Sequence, residues 1–348
     1  MLQFYKGKKI LVTGHTGFKG AWLSRILVNA GSEVDGISLE AEPNSIYKRT
    51  GNFGLNSDLV LDIRDRNLLH KYIENHRFDG VFHLAAQPLV RRSYLEPVET
   101  FETNVMGTVN LLNSLLVNDS TPWVVAVTTD KVYQNVEKLE GYKEDEALGG
   151  KDPYSASKAA TEIAIAAWQN LSEISNKMKI VAARAGNVIG GGDHAEDRLL
   201  PDLIRGFKSG SKTIIRNPRS LRPWQHVLDP LNGYLKLGSK FAETKVSNAY
   251  NFGPSENSKL NVEQMAQIAC SYWPGNNGYE IVQNASNPPE SNLLWLDSSK
   301  AKRELNWETM LNAEDAIKWT LEWEIETEKT EPLKAMDNQI SKFFKGAI

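Results

Sequence analysis

A glycine turn near the start of the chain limits what it can become. Lys9-Ile10-Leu11-Val12-Thr13 is a short run of β-favouring apolar residues. Gly14-His15-Thr16-Gly17-Phe18-Lys19-Gly20 follows at once, and a helical pattern then runs to Ala30-Gly31. The glycines permit a tight turn, close approach of backbone N–H groups to a diphosphate, and close packing of helix on strand. The spacing is G-x-x-G-x-x-G, and the helix N-terminus faces such phosphates with its positive end. Gly14, Thr16, Gly17, Phe18, Lys19 and Gly20 are therefore candidate dinucleotide contacts, with a purely structural turn as the alternative.

The pattern repeats downstream. Residues 33–39 read as a second strand, and Ser38 stands where dinucleotide-binding folds often carry an acid for the ribose 2′-hydroxyl; Glu40 lies just beyond. No arginine follows to clamp a 2′-phosphate, so NAD is favoured over NADP. Asp62-Ile63 ends another apolar run and is either an adenine contact or a helix-start turn. Residues 78–86 are a strand ending in the small group Leu84-Ala85-Ala86, which suits a ligand lying across the sheet edge. Gln87 opens the next loop, where Arg91 and Arg92 either meet a phosphate or are solvated. Residues 97–116 read as one long helix with Val98, Phe101, Val105, Val109, Leu112 and Leu116 on a stripe and Asn104 among them. Residues 122–128 are a continuously apolar strand that ends in Thr129-Asp130-Lys131, polar groups at the carboxyl end where open α/β sheets bind ligands. Residues 141–150 read as an exposed acidic loop.

Tyr154-Ser155-Ala156-Ser157-Lys158 then opens an apolar helix. Residues four apart share a helix face, so the Tyr154 phenol and the Lys158 ammonium point into one space. A nearby ammonium favours the phenolate and makes a base for a sugar hydroxyl. With the strand at 180–184, about the first 190 residues alternate strand and helix, which predicts an α/β fold with a doubly wound parallel sheet. Beyond that the alternation changes. A basic loop carries Arg216, Arg219 and Arg222, residues 248–253 read as a strand, and helices are expected at 199–208, 261–273, 298–305 and 313–323. This predicts a cofactor domain over 1–188 that regains a segment near 224–253. A smaller interleaved α/β substrate domain covers 189–330, and a partly ordered tail covers 331–348.

Bulk properties narrow the function. The 348 residues are 41% hydrophobic and 24% charged with a net charge of -3, which disfavours a general nucleic-acid binder. The single Cys270 rules out an intramolecular disulfide and fits a reducing compartment. Residues 1–9 lack a signal-peptide core and no run reaches membrane-spanning length, so the expectation is a cytoplasmic protein without membrane association. The six histidines show no paired ligand spacing, and no metal site is expected.

The stretches TGHTGFKG, TTDKVY, YSASK and RAGNVIG together resemble the extended short-chain dehydrogenase/reductase family, over nearly the whole chain. GHTGFKGAWL (14–23), AAQPLVRRSY (85–94), TTDKVYQN (128–135), PYSASKA (153–159), ARAGNVIGGGDHAEDRLLPD (183–202) and LRPWQHVLDP (221–230) resemble its CDP-glucose 4,6-dehydratase branch. The resemblance implies a Rossmann sheet, NAD as cofactor and CDP-glucose as substrate. It implies oxidation at carbon 4, loss of water across carbons 5 and 6, and hydride return to carbon 6. Tyr154 is then the base, Lys158 holds the nicotinamide ribose, Thr129 bonds the carbon 4 oxygen, and Asp130 protonates the leaving hydroxyl. Lys131 stands where dTDP-glucose dehydratases carry a glutamate base; it is a base, an enolate stabiliser, or a partner for Asp130. The cofactor set becomes Gly14, Thr16, Gly17, Phe18, Lys19, Gly20, Ser38, Asp62, Ile63, Leu84, Ala85, Ala86, Asn104, Tyr154 and Lys158. Gln87, Asn187, Arg198, Arg219, Arg222 and Glu290 become the substrate set. His194 stands where the resemblance expects tryptophan. A homodimer or homotetramer and a place in deoxysugar and O-antigen biosynthesis are implied as well. The rival readings are an NDP-sugar 4-epimerase, a dehydratase for another NDP-glucose, and a non-catalytic dinucleotide sensor.

Overall fold

The computed structural model describes residues 1–51, 53–241, 247–255, 258–282 and 293–346. The first half runs β1 (Lys9–Thr13), α1 (Phe18–Asn29), β2 (Glu33–Ser38), α2 (Ile46–Thr50), β3 (Ser57–Val60), α3 (Arg66–Glu74), β4 (Gly80–His83), α4 (Val90–Leu95), α5 (Pro97–Phe101), α6 (Gly107–Asn118), β5 (Trp123–Val127), α7 (Pro153–Ser175) and β6 (Lys179–Arg184). The second runs β7 (Val188–Ile189), α8 (Leu199–Ser209), β8 (Thr213–Ile215), β9 (Leu221–Pro223), β10 (Gln225–His226), α9 (Leu228–Lys240), β11 (Ala249–Asn251), β12 (Lys259–Asn261), α10 (Val262–Tyr272), β13 (Tyr279–Ile281), α11 (Ser299–Leu305), α12 (Ala313–Glu326) and α13 (Pro332–Phe343).

Seven strands form one parallel sheet in the order β11-β6-β5-β4-β1-β2-β3. Strand side chains alternate between faces, and both faces are covered. Val12, Phe82 and Val125 pack with Trp22 and Leu231 on one side. Leu11, Val81 and Val124 pack with Leu69, Leu111 and Ile165 on the other. Strand order reverses between β1 and β4, and the crevice at such a switch point is where open α/β sheets bind ligands. The chain returns to this sheet after the elements from β7 to α9, because β11 pairs with β6 from Ala249↔Ala182 to Asn251↔Arg184. A further core, with Leu203, Trp224, Met265, Ala316 and Ile317, holds α8, α10 and α12 together.

Three expectations need correction. The helix expected over 97–116 is interrupted by a π turn, Glu102–Met106, between α5 and α6. The wider turn accompanies a buried Asn104, whose amide donates to Ser157 Oγ at 2.9 Å and whose Oδ1 accepts the Gln87 N–H at 2.8 Å. The segment 141–150 is not an exposed loop. Tyr142 stacks on Tyr133 at 5.0 Å, its N–H donates to the Trp295 carbonyl, and Glu144 accepts the Asn251 N–H at 2.9 Å. The C-terminal segment, expected as a partly ordered tail, holds a packed helix. Pro332 opens α13, which buries Ala335, Met336, Ile340 and Phe343, and Asp337 accepts Arg25 Nε at 2.6 Å and Asn29 at 2.8 Å from α1.

Candidate active site

The glycine turn is built as a cradle. Gly14 has φ +74, and a Cβ there would lie 2.6 Å from the Ala85 nitrogen. A Cβ on Gly20 would lie 2.0 Å from the Gly14 carbonyl oxygen, so α1 packs directly on the turn. Around Gly17 only that carbonyl is near, and no side chain caps α1. An uncapped helix end beside an open glycine turn fits a dinucleotide diphosphate. Thr16 Oγ1 and Ser38 Oγ lie 2.6 Å apart at the end of β2, a pair of hydroxyls placed for a ribose. Asp62 is engaged: burial favours its neutral form, but hydrogen bonds from Arg64 outweigh this and hold its carboxyl below the usual range. Ile63 is buried and packs against Gly107. Leu84, Ala85 and Ala86 continue β4 past β1, where the Leu84 N–H donates to the Thr13 carbonyl. The Gln87 amide is committed to Leu89 and Thr100 and shapes its own loop.

The chemical groups meet at the carboxyl ends of β5 and β6. Asp152 caps α7 by accepting the Ser155 N–H at 2.9 Å, and Pro153 takes the first helical position. That start places Tyr154, Lys158 and Glu162 along one inward face. Glu162 makes a buried ion pair with Arg184 of β6 at 2.9 Å and accepts Thr128 Oγ1 at 2.5 Å, which fastens α7 to the sheet. Thr129 Oγ1 donates to Asp130 Oδ1 at 2.9 Å and is also a hydrogen-bond partner of the Tyr154 phenol. Gly186 lies against the Asp130 carboxyl so closely that a Cβ would meet Oδ2 at 2.0 Å.

Burial dominates the electrostatics. It pushes the Tyr154 phenol up to about 12, against the Thr129 hydrogen bond and with repulsion from Asp130 added, while Arg198 pulls the other way. The protein alone therefore holds Tyr154 as a phenol, because burial outweighs the groups that lower it. Burial pulls Lys158 down to about 8, with Glu162 resisting. Lys19 is likewise pulled to about 8 by burial and by Arg198, against Asp130; Lys158 and Asp193 act more weakly. Lys19 therefore reaches beyond the phosphate turn into the same cluster. His83 sits beneath it, held near 3 by burial and by Lys158. Its Nε2 faces Thr108 Oγ1, whose proton goes to the Asn104 carbonyl, so His83 donates there and accepts from Thr13 through Nδ1.

The remaining sequence candidates lie around this centre. Lys131 is half-buried and its ammonium has no ion pair or hydrogen bond among the described residues, so it does not pair with Asp130. Arg198 donates to Asp193 at 3.0 Å beside Tyr154. Asn187 takes the left-handed conformation at φ +48. Arg222 lies on β9, while Arg219 is exposed in the turn before it. Arg91 and Arg92 lie on α4 rather than in a loop, where Arg91 pairs with Asp197 and Arg92 with Glu96 and Glu99. His194 reaches Glu42 at 2.8 Å. Glu290 lies outside the described residues. Sequence reasoning missed Glu162, Ser157, His83 and Gly186; of these only Glu162 carried a signal, the continued four-residue step from Tyr154.

A parallel sheet with this cradle at its switch point, and a Tyr–Lys helix over an acid at the strand ends, defines an extended short-chain dehydrogenase/reductase. Within that class the chain belongs to the GDP-mannose 4,6 dehydratase family, whose model matches residues 11–320. It is 41% identical over 332 residues to the CDP-glucose 4,6-dehydratase of Salmonella typhimurium, covering 92% of both chains. It is 28% identical over 349 residues to dTDP-glucose 4,6-dehydratase 1 of Escherichia coli, covering 92% of this chain and 94% of that one. Among solved structures, the NAD-dependent NDP-hexosamine 5,6-dehydratase involved in tunicamycin biosynthesis superposes with a TM-score of 0.76 at 24% identity, covering 92% and 98%.

Proposed function

We propose that the protein dehydrates CDP-D-glucose to CDP-4-keto-6-deoxy-D-glucose with NAD as a resident cofactor. The observation that carries this reading is the enclosed acid beside the base: Asp130, bonded to Thr129 and pressed on Gly186, next to Tyr154. A 4-epimerase needs the base but has no leaving hydroxyl to protonate. The 41% identity to a CDP-glucose dehydratase, against 28% to a dTDP-glucose one, favours the cytidine nucleotide. When bound, NAD supplies the hydride carrier that lets carbon 4 be oxidised and carbon 6 later reduced.

The chain's own groups do the rest. Gly14, Gly17 and the start of α1 hold the diphosphate of the cofactor, and Thr16 and Ser38 its ribose. Tyr154 Oη, held as a phenol by burial in the protein alone, must ionise before it takes the proton of the carbon 4 hydroxyl, and Thr129 Oγ1 bonds the oxygen left behind. The new ketone acidifies carbon 5, because loss of its proton gives an enolate. Asp130 protonates the carbon 6 hydroxyl, which leaves as water. Lys131, whose ammonium makes no ion pair among the described residues, either takes the carbon 5 proton as a neutral amine or stabilises the enolate as a cation. Arg198, Arg222 and Asn187 offer donors for the substrate diphosphate, and Arg219 and Gln87 belong to the same proposed set. Incubation with CDP-, dTDP- and UDP-glucose separately tests the reading: a 4-keto product lighter by one water is expected from CDP-glucose. A 4-epimer as the sole product would overturn it.

The same reading divides the chain into a cofactor part, 1–188 with 224–253, and a sugar-nucleotide part over the rest of 189–330, with α13 closing on α1. It makes the protein a homodimer or homotetramer. Leu95, Val98, Phe101 and Met106 around α5, and Ile163, Leu171 and Ile174 on α7, leave apolar surface exposed on adjacent helices. Sedimentation showing only monomer at micromolar concentration would count against it. A cytoplasmic place in deoxysugar and O-antigen synthesis follows from the proposed substrate and from the unpaired Cys270; no described helix is long and apolar enough to cross a membrane.

A further inference from the structure

Arg198 is carried by the crossing between β7 and α8, a stretch without helix or strand that contains Gly190-Gly191-Gly192. Three glycines in a row make such a stretch pliant by itself. Here it is gripped. A Cβ on Gly191 would lie 2.2 Å from the Trp323 ring, and one on Gly192, whose φ is +79, would lie 2.6 Å from Ile46 of α2. Trp22 Nε1 donates to the Gly191 carbonyl at 3.1 Å, and the Gly192 N–H donates to Glu324 Oε1 of α12 at 2.9 Å. Further along, His194 reaches Glu42, and Asp197 pairs with Arg91 and Arg216. The carboxylates of those outer ties are exposed, so solvent screens them, whereas Glu324 is buried.

Glu324 is 2% exposed, yet it holds its charge. Burial favours the neutral form, but Arg49 and Lys208 outweigh this and keep its carboxyl below the usual range. Lys208 Nζ of α8 lies 2.5 Å from Oε2, and the Arg49 guanidinium of α2 spans both oxygens at 3.3 and 3.4 Å while lying over the Trp323 ring at 4.9 Å. A buried ion cluster is a weak source of stability, because desolvation cancels much of the attraction. What this one fixes is place: α2, α8, α12 and the glycine turn all meet on one carboxylate. The residue after that turn is the buried Asp193. Its Oδ1 accepts the Ala195 N–H at 3.2 Å, and its Oδ2 accepts Arg198 Nη1 at 3.0 Å. Glu324 is thus joined to Arg198 by two hydrogen bonds with one step of backbone between them.

We propose that Glu324 is a positioning residue for the sugar nucleotide: it fixes the Gly192 turn from which Asp193 aims Arg198 at the substrate diphosphate. The role rests on Arg198 meeting that diphosphate, as proposed above. Glu324 acts through Arg198. Without the carboxylate the Gly192 N–H loses its acceptor, the turn regains the freedom of its glycines, and the guanidinium samples directions away from the ligand. Binding must then order it, which lowers affinity.

A double-mutant cycle on the NAD-loaded protein tests this, with CDP as the probe and titration calorimetry as the readout. UDP and dTDP run alongside, so that the cycle uses the diphosphate the parent binds. Arg198→Ala and Glu324→Gln should each raise the dissociation constant about tenfold, the scale of one charge-assisted hydrogen bond. Together they should raise it no further than Arg198→Ala alone, because Glu324 then has nothing to position. A residue that only held the fold together would weaken both backgrounds alike, so additive losses would overturn the role, as would a Glu324→Gln protein that binds like the parent. A second variant covers the case in which Glu324→Gln does not fold. Arg49→Met, Lys208→Met and Glu324→Met combined replace the whole cluster by apolar chains, an exchange that folded proteins tolerate. That variant should show the same dependence on Arg198, and parent-like binding by it would overturn the role too. If Arg198→Ala binds like the parent, or the parent binds none of the three diphosphates, the assignment of Arg198 falls and this role falls with it. If CDP binds but CDP-glucose yields no dehydrated product, the proposed reaction fails and the cycle still decides the role of Glu324.

Discussion

Gly186 has no functional group, yet the acid depends on it. A methyl there would stand 2.0 Å from Asp130 Oδ2, so Gly186→Ala must displace the carboxyl or the β6 exit. The expected outcome is a kcat at least tenfold lower with KM for the sugar nucleotide little changed, because binding groups such as Arg222 lie elsewhere. A near-native melting temperature would show that the loss is local. Tyr154→Phe removes the proton acceptor while keeping the ring, and kcat should fall by about 10²–10⁴-fold, the usual worth of a positioned base. A smaller loss would shift the role of base to another group. The sequence made Tyr154, Lys158, Thr129 and Asp130 legible because their chemistry is local, within one helix turn or one strand end. Gly186 and His83 were not legible, because their roles come from what the sheet brings beside them.

At the scale of elements, sequence periodicity located the sheet strands and most helices, because buried strands and amphipathic helices carry repeating apolar positions. It failed where a repeat continues through a change of geometry. The stripe over 97–116 has regular spacing, yet Val98 and Phe101 face outward while Leu111, Leu112 and Leu115 are in the core. The π turn between them shifts the face and turns Asn104 inward. Asn104→Ala would leave the buried Gln87 N–H without its acceptor, at a cost of about 1–3 kcal/mol. Denaturant titration should show that loss, and a variant as stable as the parent would mean the loop finds another acceptor. α13 was missed for a different reason: Lys334, Asp337 and Lys342 dilute an apolar face that forms only against α12, α2 and α1. Asp337→Ala should release Arg25 and Asn29 and raise amide exchange in α13 ahead of the sheet.

For the whole molecule, the buried titratable groups set how stability follows pH. His83 and His226 are both held near 3 when folded, His83 by burial and Lys158 and His226 by burial alone. Their ordinary value is 6.5, so between about 3 and 6.5 the unfolded chain binds more protons than the folded one. Their contribution is whole above 6.5 and is lost as pH falls, by up to about 1.4 kcal/mol per pH unit for each group. Lys158 and Lys19 act at the other end. Held near 8 against 10.5, they are neutral in the folded protein while still charged in the unfolded chain, so stability rises from about pH 8 towards 10.5. Tyr154 then opposes further gain above 10, because its folded value lies near 12. Carboxylates such as Glu324 also contribute to acid loss, so the histidine share is read best by difference. His226 packs edge-on between Trp22 and Trp319 with its Nε2 unpartnered, which makes His226→Leu a compatible replacement. The unfolding free energies of His226→Leu and the parent, measured by denaturant from pH 7 to 4, should converge or cross as pH falls. Parallel curves would mean that His226 takes up its proton in the folded protein as easily as in the unfolded chain, against the burial that surrounds it.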